Sequence, residues 1–130
     1  MSENKQIKKR VLIVDDEPKV LTFVNMKLKL CGYDVITAAS GREALDLVRS
    51  DNPDIMVLDI VMPEMDGFEV LKNLRSFTKM PVIVFSARST NSDQVFKLGA
   101  NDFIAKPFDP DDLVRRIKRL MPNGNGHCQQ

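Results

Sequence analysis

The sequence predicts a doubly wound α/β domain, a five-stranded parallel sheet between two layers of helix. Two observations predict it. Five short apolar runs alternate with five segments of helical period. Three of the runs, Val-Leu-Ile-Val at 11–14, Ile-Met-Val-Leu at 55–58 and Val-Ile-Val-Phe at 82–85, are apolar without a break. A strand with one wet face alternates, so unbroken runs belong to strands covered on both faces. Strict strand–helix alternation then gives parallel strands joined by right-handed crossovers.

The elements follow in order. Strand one spans Val11 to Val14, and Pro18 suits the first turn of helix one. Val20, Leu21, Val24, Leu28 and Cys31 hold the 3.6-residue period, and Gly32 ends the helix. Strand two spans Asp34 to Ala38. Ser40 with Glu43 forms a capping box for helix two, and Asp66 with Glu69 resembles one for helix three. Strand three, Asp54 to Leu58, lies between them. Strand four spans Pro81 to Phe85. Helix four runs from Asn91 to Leu98, capped by Thr90 or Asn91, and is short and polar at its start. Strand five spans Asp102 to Ala105. Asp109 and Pro110 open helix five, which reaches about Met121 before Pro122. Residues 10–121 thus read as one domain without repeat or linker. Residues 1–9 read as a flexible basic segment, and 122–130, rich in Gly and Asn, as a disordered tail or linker stub.

At 43% apolar and 28% charged residues, the chain can build a core without staples. A formal net charge of +1 gives no general attraction to nucleic acid or anionic membrane. The basic clusters Lys8-Lys9-Arg10 and Arg115, Arg116, Lys118, Arg119 read as solvated faces. Cys31 and Cys128 have no metal-ligand spacing and read as reduced thiols. His127, alone in the tail, reads as inert. No apolar run approaches a membrane span, and the protein is expected in the cytoplasm.

Chemistry collects at the carboxyl ends of the strands, where ligands bind in open α/β sheets. Asp15, Asp16 and Glu17 follow strand one, and Asp59 follows strand three. Ser86 follows strand four; Lys106 and Pro107 follow strand five. Each has a bland reading alone: a cap, a loop hydroxyl, a surface lysine. Together they bring acids, a hydroxyl and an amine to one rim. Crowded carboxylates repel, which raises the pKa of at least one, and a cation relieves the repulsion. All-oxygen donors favour a hard ion, Mg²⁺ over Zn²⁺.

Four motifs carry a resemblance: Val14-Asp15-Asp16-Glu17-Pro18, the run from Asp59 through Met62-Pro63 to Met65-Asp66-Gly67, Ser86-Ala87, and Gly99 through Lys106-Pro107-Phe108. In this order at strand ends, they resemble the receiver domain of two-component response regulators, over residues 10–121. The resemblance implies a flavodoxin-like sheet of strand order 2-1-3-4-5. It implies that Asp59 accepts a phosphoryl group and that Asp16 binds Mg²⁺ directly. Asp15 then acts mainly through water, and the Val61 carbonyl is a third ligand. It gives Ser86 the hydroxyl position facing a phosphoryl oxygen, Lys106 the phosphate-pairing position, and Phe103 the switch aromatic. It also implies a cis Lys106-Pro107 bond, which aims Lys106 at the acceptor. The implied partners are a sensor histidine kinase or histidine phosphotransfer protein, and an output partner or domain on the face of helix four, strand five and helix five. Asp66 reads instead as a helix cap, and Glu17 as suited to the helix dipole.

Ser86 stands where Thr is frequent, and Phe103 where Tyr is frequent. Phe103 has no hydroxyl to reward exposure, so an inward ring is expected more than with Tyr. Val61 and Arg88 flank the water path in the family pattern. A haloacid-dehalogenase-type phosphotransferase is the rival enzyme class; it carries a second Asp two residues after its nucleophile, where this chain has Val61. A receiver-like module that never accepts phosphate usually lacks an acid or the lysine, and here all are present.

Overall fold

The computed structural model describes residues 8–87 and 89–121. The expectations for the outer terminal segments, for His127, Cys128 and Arg88 lie outside these residues. The order is β1 (Arg10–Val14), α1 (Pro18–Leu30), β2 (Asp34–Ala38), α2 (Gly41–Asp51), β3 (Ile55–Leu58), α3 (Gly67–Arg75), β4 (Val82–Ala87), α4 (Ser92–Lys97), β5 (Asp102–Lys106) and α5 (Pro110–Leu120). All neighbouring strands are parallel, in the order β2-β1-β3-β4-β5.

The unbroken apolar runs are buried on both faces. Leu12, Val14, Met56, Leu58, Val82 and Val84 pack with Ala44, Val48, Val70, Leu74 and Val95, from α2, α3 and α4. Val11, Ile13, Ile55, Val57, Ile83 and Phe85 pack with Val24, Leu28, Leu113, Val114 and Ile117, from α1 and α5. Alternate side chains of one strand therefore enter opposite cores, which is the period-2 geometry of a strand.

Local signals set the helix ends. The side chains of Ser40, Asp66 and Asn91 accept from Glu43, Glu69 and Gln94 N–H groups respectively. Asp109 accepts from Asp111. Of the two cap candidates for α4, Asn91 holds the position. Gly32 takes φ +90° just beyond α1, a conformation that side chains disfavour.

Three expectations shift. β4 reaches Ala87 and β5 reaches Lys106, because the ladder continues through Ser86↔Ala105 and Ala87↔Lys106. Ser86 therefore lies inside a strand, fully buried, not in the loop beyond it. Each basic cluster loses a member from its solvated face: Arg10 bonds Asp34 at 2.7 Å, and Arg116 bonds Asp102 at 2.8 Å. Cys31, buried at the end of α1, is disulfide-bonded, against the reading of reduced thiols. No helix among the described residues is long and apolar enough to cross a membrane.

Candidate functional site

Three carboxylates meet at the carboxyl rim of the sheet. Asp15 follows β1, and its N–H donates to the Ala38 carbonyl at 3.1 Å. Asp59 follows β3, and its N–H donates to the Val14 carbonyl at 2.9 Å. These bonds carry the ladders one residue past the strands and fix both backbones. Asp15 and Asp59 are 1% and 5% exposed, whereas Asp16 faces solvent. One carboxylate oxygen from each of Asp15, Asp16 and Asp59 lies within 4.8 Å of the others.

Lys106 enters from the end of β5. Its Nζ lies 2.9 Å from Asp15 Oδ2 and 3.3 Å from Asp59 Oδ2. It also stands 4.8 Å from the centre of the Phe85 ring, and Phe108 packs edge-on against that ring. An ammonium over an aromatic face is attracted by the ring quadrupole, so Phe85 helps hold the lysine over the rim. The Lys106-Pro107 peptide is cis, as expected.

The other oxygen of Asp59 is held from two sides. Oδ1 accepts from Val61 N–H at 3.1 Å and from Ser86 Oγ at 3.3 Å. The second bond is long for a hydroxyl donor, whose usual distance is ~2.7–2.8 Å. Asp15 Oδ1 accepts from Glu17 N–H at 2.9 Å. Glu17 starts α1 without a side-chain cap.

Charge and burial oppose each other here. Burial pushes the Asp59 carboxyl above the usual aspartate range; Lys106 pulls it down, and the Asp15 charge pushes it up again. Burial pulls the Lys106 ammonium down, yet its bonds and charge contacts with Asp15 and Asp59 win, and its pKa lies above the ordinary lysine value. Three carboxyl groups share the rim with one ammonium. All donors are oxygen, so the residues fit a hard divalent cation.

Phe103 pairs with Val84 in the sheet and is half-buried against the core beneath α2, α3 and α4. Val61 is exposed. Asp66 caps α3 and stays out of the carboxylate cluster.

Three contributors were not singled out by sequence. Phe85 read only as a strand residue, since its place under Lys106 needs β4 and β5 side by side. Gly67 belongs to a motif, but its reason is spatial: a Cβ there would sit 2.5 Å from Ile60 Cα and 2.7 Å from the Asp59 carbonyl. The close approach lets Gly67 N–H donate to the Ile60 carbonyl at 2.8 Å and closes the loop behind Asp59. Thr90 read as a possible cap; its hydroxyl instead lies 3.2 Å from Ser86 Oγ.

A family model described as the response regulator receiver domain matches residues 11–118. The chain belongs to this family. Among solved structures, the receiver domain of the Francisella response regulator 1452 is 36% identical with a TM-score of 0.82, covering 88% of this chain and 98% of that one. A CheY-like receiver domain protein from Methanospirillum hungatei is 32% identical with a TM-score of 0.83, covering 89% and 96%. Among curated relatives, the alkaline phosphatase synthesis transcriptional regulatory protein PhoP of Bacillus subtilis is 40% identical, across 87% of this chain and 48% of that protein. The transcriptional regulatory protein KdpE of Mycobacterium tuberculosis is 43% identical, across 83% and 49%. The receiver chain thus spans about half the length of the curated relatives it matches.

Proposed function

We propose that this receiver domain accepts a phosphoryl group on Asp59, with Mg²⁺, from a histidine kinase or histidine phosphotransfer protein. The observation that carries the reading is the setting of Asp59: a buried carboxylate bonded to Lys106 and Ser86, within 4.8 Å of two further carboxylates.

An oxygen of Asp59 attacks phosphorus in line, the bond to the donor breaks, and the donor leaves with its electron pair; the product is an acyl phosphate. Asp16 and Asp59, the Val61 carbonyl, and Asp15 through water would hold Mg²⁺, which when bound neutralises charge on the phosphoryl oxygens. Lys106 already pairs with Asp59 Oδ2 and offers its ammonium to the incoming phosphoryl group. Ser86, one bond from Asp59, donates its hydroxyl to a phosphoryl oxygen. Raised affinity for a proton at Asp59 reflects a carboxylate poorly solvated in its pocket, and such an anion is a better nucleophile than one wrapped in water.

Residues 10–121 form the signalling unit, with the flanking segments outside it. Phe103, half-buried beside the α4–β5–α5 face, reports the state of the acceptor to an output partner or domain. PhoP and KdpE are named transcriptional regulators, so an output of that class fits; the receiver unit itself binds no nucleic acid. It catalyses only its own phosphorylation and dephosphorylation, and acts in the cytoplasm.

Acetyl phosphate with Mg²⁺ should add one phosphoryl group, seen by intact mass, and peptide mapping should place it on Asp59. EDTA or Asp59→Asn should abolish it. A wild type that stays unlabelled would favour a receiver-like binding module, and stoichiometric labelling of the Asn variant would move the acceptor elsewhere.

A further inference from the structure

Thr90 lies in the turn after β4, closed by its own N–H donating to the Ala87 carbonyl at 3.0 Å. Its Oγ1 is 3.2 Å from Ser86 Oγ, which is 3.3 Å from Asp59 Oδ1. The polarity of this chain follows from proton counting. An ionised carboxylate only accepts, so Ser86 spends its single proton on Asp59. Ser86 then only accepts from Thr90, and the donor in that contact is the Thr90 hydroxyl. Two hydroxyls in series thus connect the β4–α4 turn to the carboxylate.

We propose that Thr90 is a positioning residue, a latch that holds the Ser86 hydroxyl on the unmodified Asp59 carboxylate. The inference rests on the acceptor reading of Asp59. A phosphoryl group would put its oxygens beyond Asp59 Oδ1 and make them the strongest acceptors at the rim. Ser86 has one proton, so it must release the carboxylate to reach them. Reaching them carries its oxygen off its present position, 3.3 Å from Asp59 Oδ1 and 3.2 Å from Thr90 Oγ1. The Thr90 bond exists only before modification, and an interaction confined to one state shifts the equilibrium toward it. Both bonds are long and hence weak, which suits a contact that is exchanged.

Thr90→Val removes the hydroxyl at nearly constant volume; Thr90→Ser keeps it. Binding of beryllofluoride with Mg²⁺ stands in for the phosphoryl group and is followed by titration calorimetry. Thr90→Val should bind about two- to tenfold more tightly than wild type, the ratio matching one net hydrogen bond, while Thr90→Ser should match wild type. Backbone amide shifts of residues 86–91 in the unliganded Val variant should move toward their liganded wild-type positions. Equal or weaker binding by Thr90→Val, or a Ser variant that behaves like Val, overturns the latch. A wild type that binds no beryllofluoride overturns the acceptor reading and the latch together, so the two failures are distinct.

Discussion

Replacing Asp59 with Asn in metal-free protein weighs three opposing terms at the rim. Lys106 Nζ lies 3.3 Å from Asp59 Oδ2, an attraction of about 5 kcal/mol at an effective dielectric near 20. Asp15 and Asp16 each place an oxygen within 4.8 Å, repulsions of about 3.5 kcal/mol apiece on the same scale. Asp16 faces solvent, so its share is screened well below that, and the exposed part of Lys106 trims the attraction too. The pair interactions therefore nearly cancel, and burial of the charge decides the sign. Asn keeps an oxygen for Val61 N–H and Ser86 but needs no charge solvated. The expected gain is about 1 kcal/mol, or roughly 3–5 °C in Tm for a domain of this size. The pH dependence has a definite sign. The folded protein raises the Asp59 pKa above its unfolded value, so the group's contribution is fully present below the ordinary carboxylate range and is lost as pH rises through the folded value. Asn does not titrate. The advantage of the variant should be larger at pH 7 than below about pH 4, the ordinary aspartate range. Thermal melts of both proteins in EDTA at the two pH values read this directly. An Asn variant no more stable than wild type at pH 7, or one whose advantage persists unchanged at low pH, would refute the reasoning.

Lys106→Met should act in the opposite direction. It strands the buried Asp15 and Asp59 carboxylates without their ammonium, at a cost of about 2–3 kcal/mol by urea denaturation, the low end for a broken buried pair because Lys106 is partly exposed. The double variant with Asp59→Asn should lose less than the sum of the two single effects; strict additivity would show that the two residues do not interact. Gly67→Ala should cost about 2–3 kcal/mol, since its Cβ meets Ile60 and Asp59 backbone atoms that cannot swing away. The strain falls on the loop that carries Asp59, so Mg²⁺ should stabilise this variant less than wild type in parallel melts, and an undiminished Mg²⁺ effect would separate Gly67 from the site.

Much of the molecule is decided by short-range sequence. The apolar runs at 11–14, 55–58 and 82–85 demand strands buried on both faces, and those are the central strands β1, β3 and β4. Ser40, Asp66 and Asp109 start their helices because each side chain reaches an N–H within three residues. Asp59, Lys106 and their companions were legible as a site because parallel strands deliver their carboxyl ends to one rim. What sequence could not supply is which atoms meet there. Asp15 and Asp16 are adjacent acids, yet one is buried and bonded to Lys106 and the other faces water. Consecutive residues leaving a strand point in different directions, and only the neighbouring strands show which direction is inward. Ser86 looked like a loop residue because Phe85 ends the apolar run; pairing with Ala105 keeps it in the sheet. Thr90 and Asn91 were both possible caps for α4 in sequence. Asn91 took the cap, and the Thr90 hydroxyl went to Ser86. Phe85 beneath Lys106 and Gly67 against Ile60 are contacts across separate elements. Such contacts depend on strand order, register and the distance between packed backbones, quantities that arise only when the whole chain has folded.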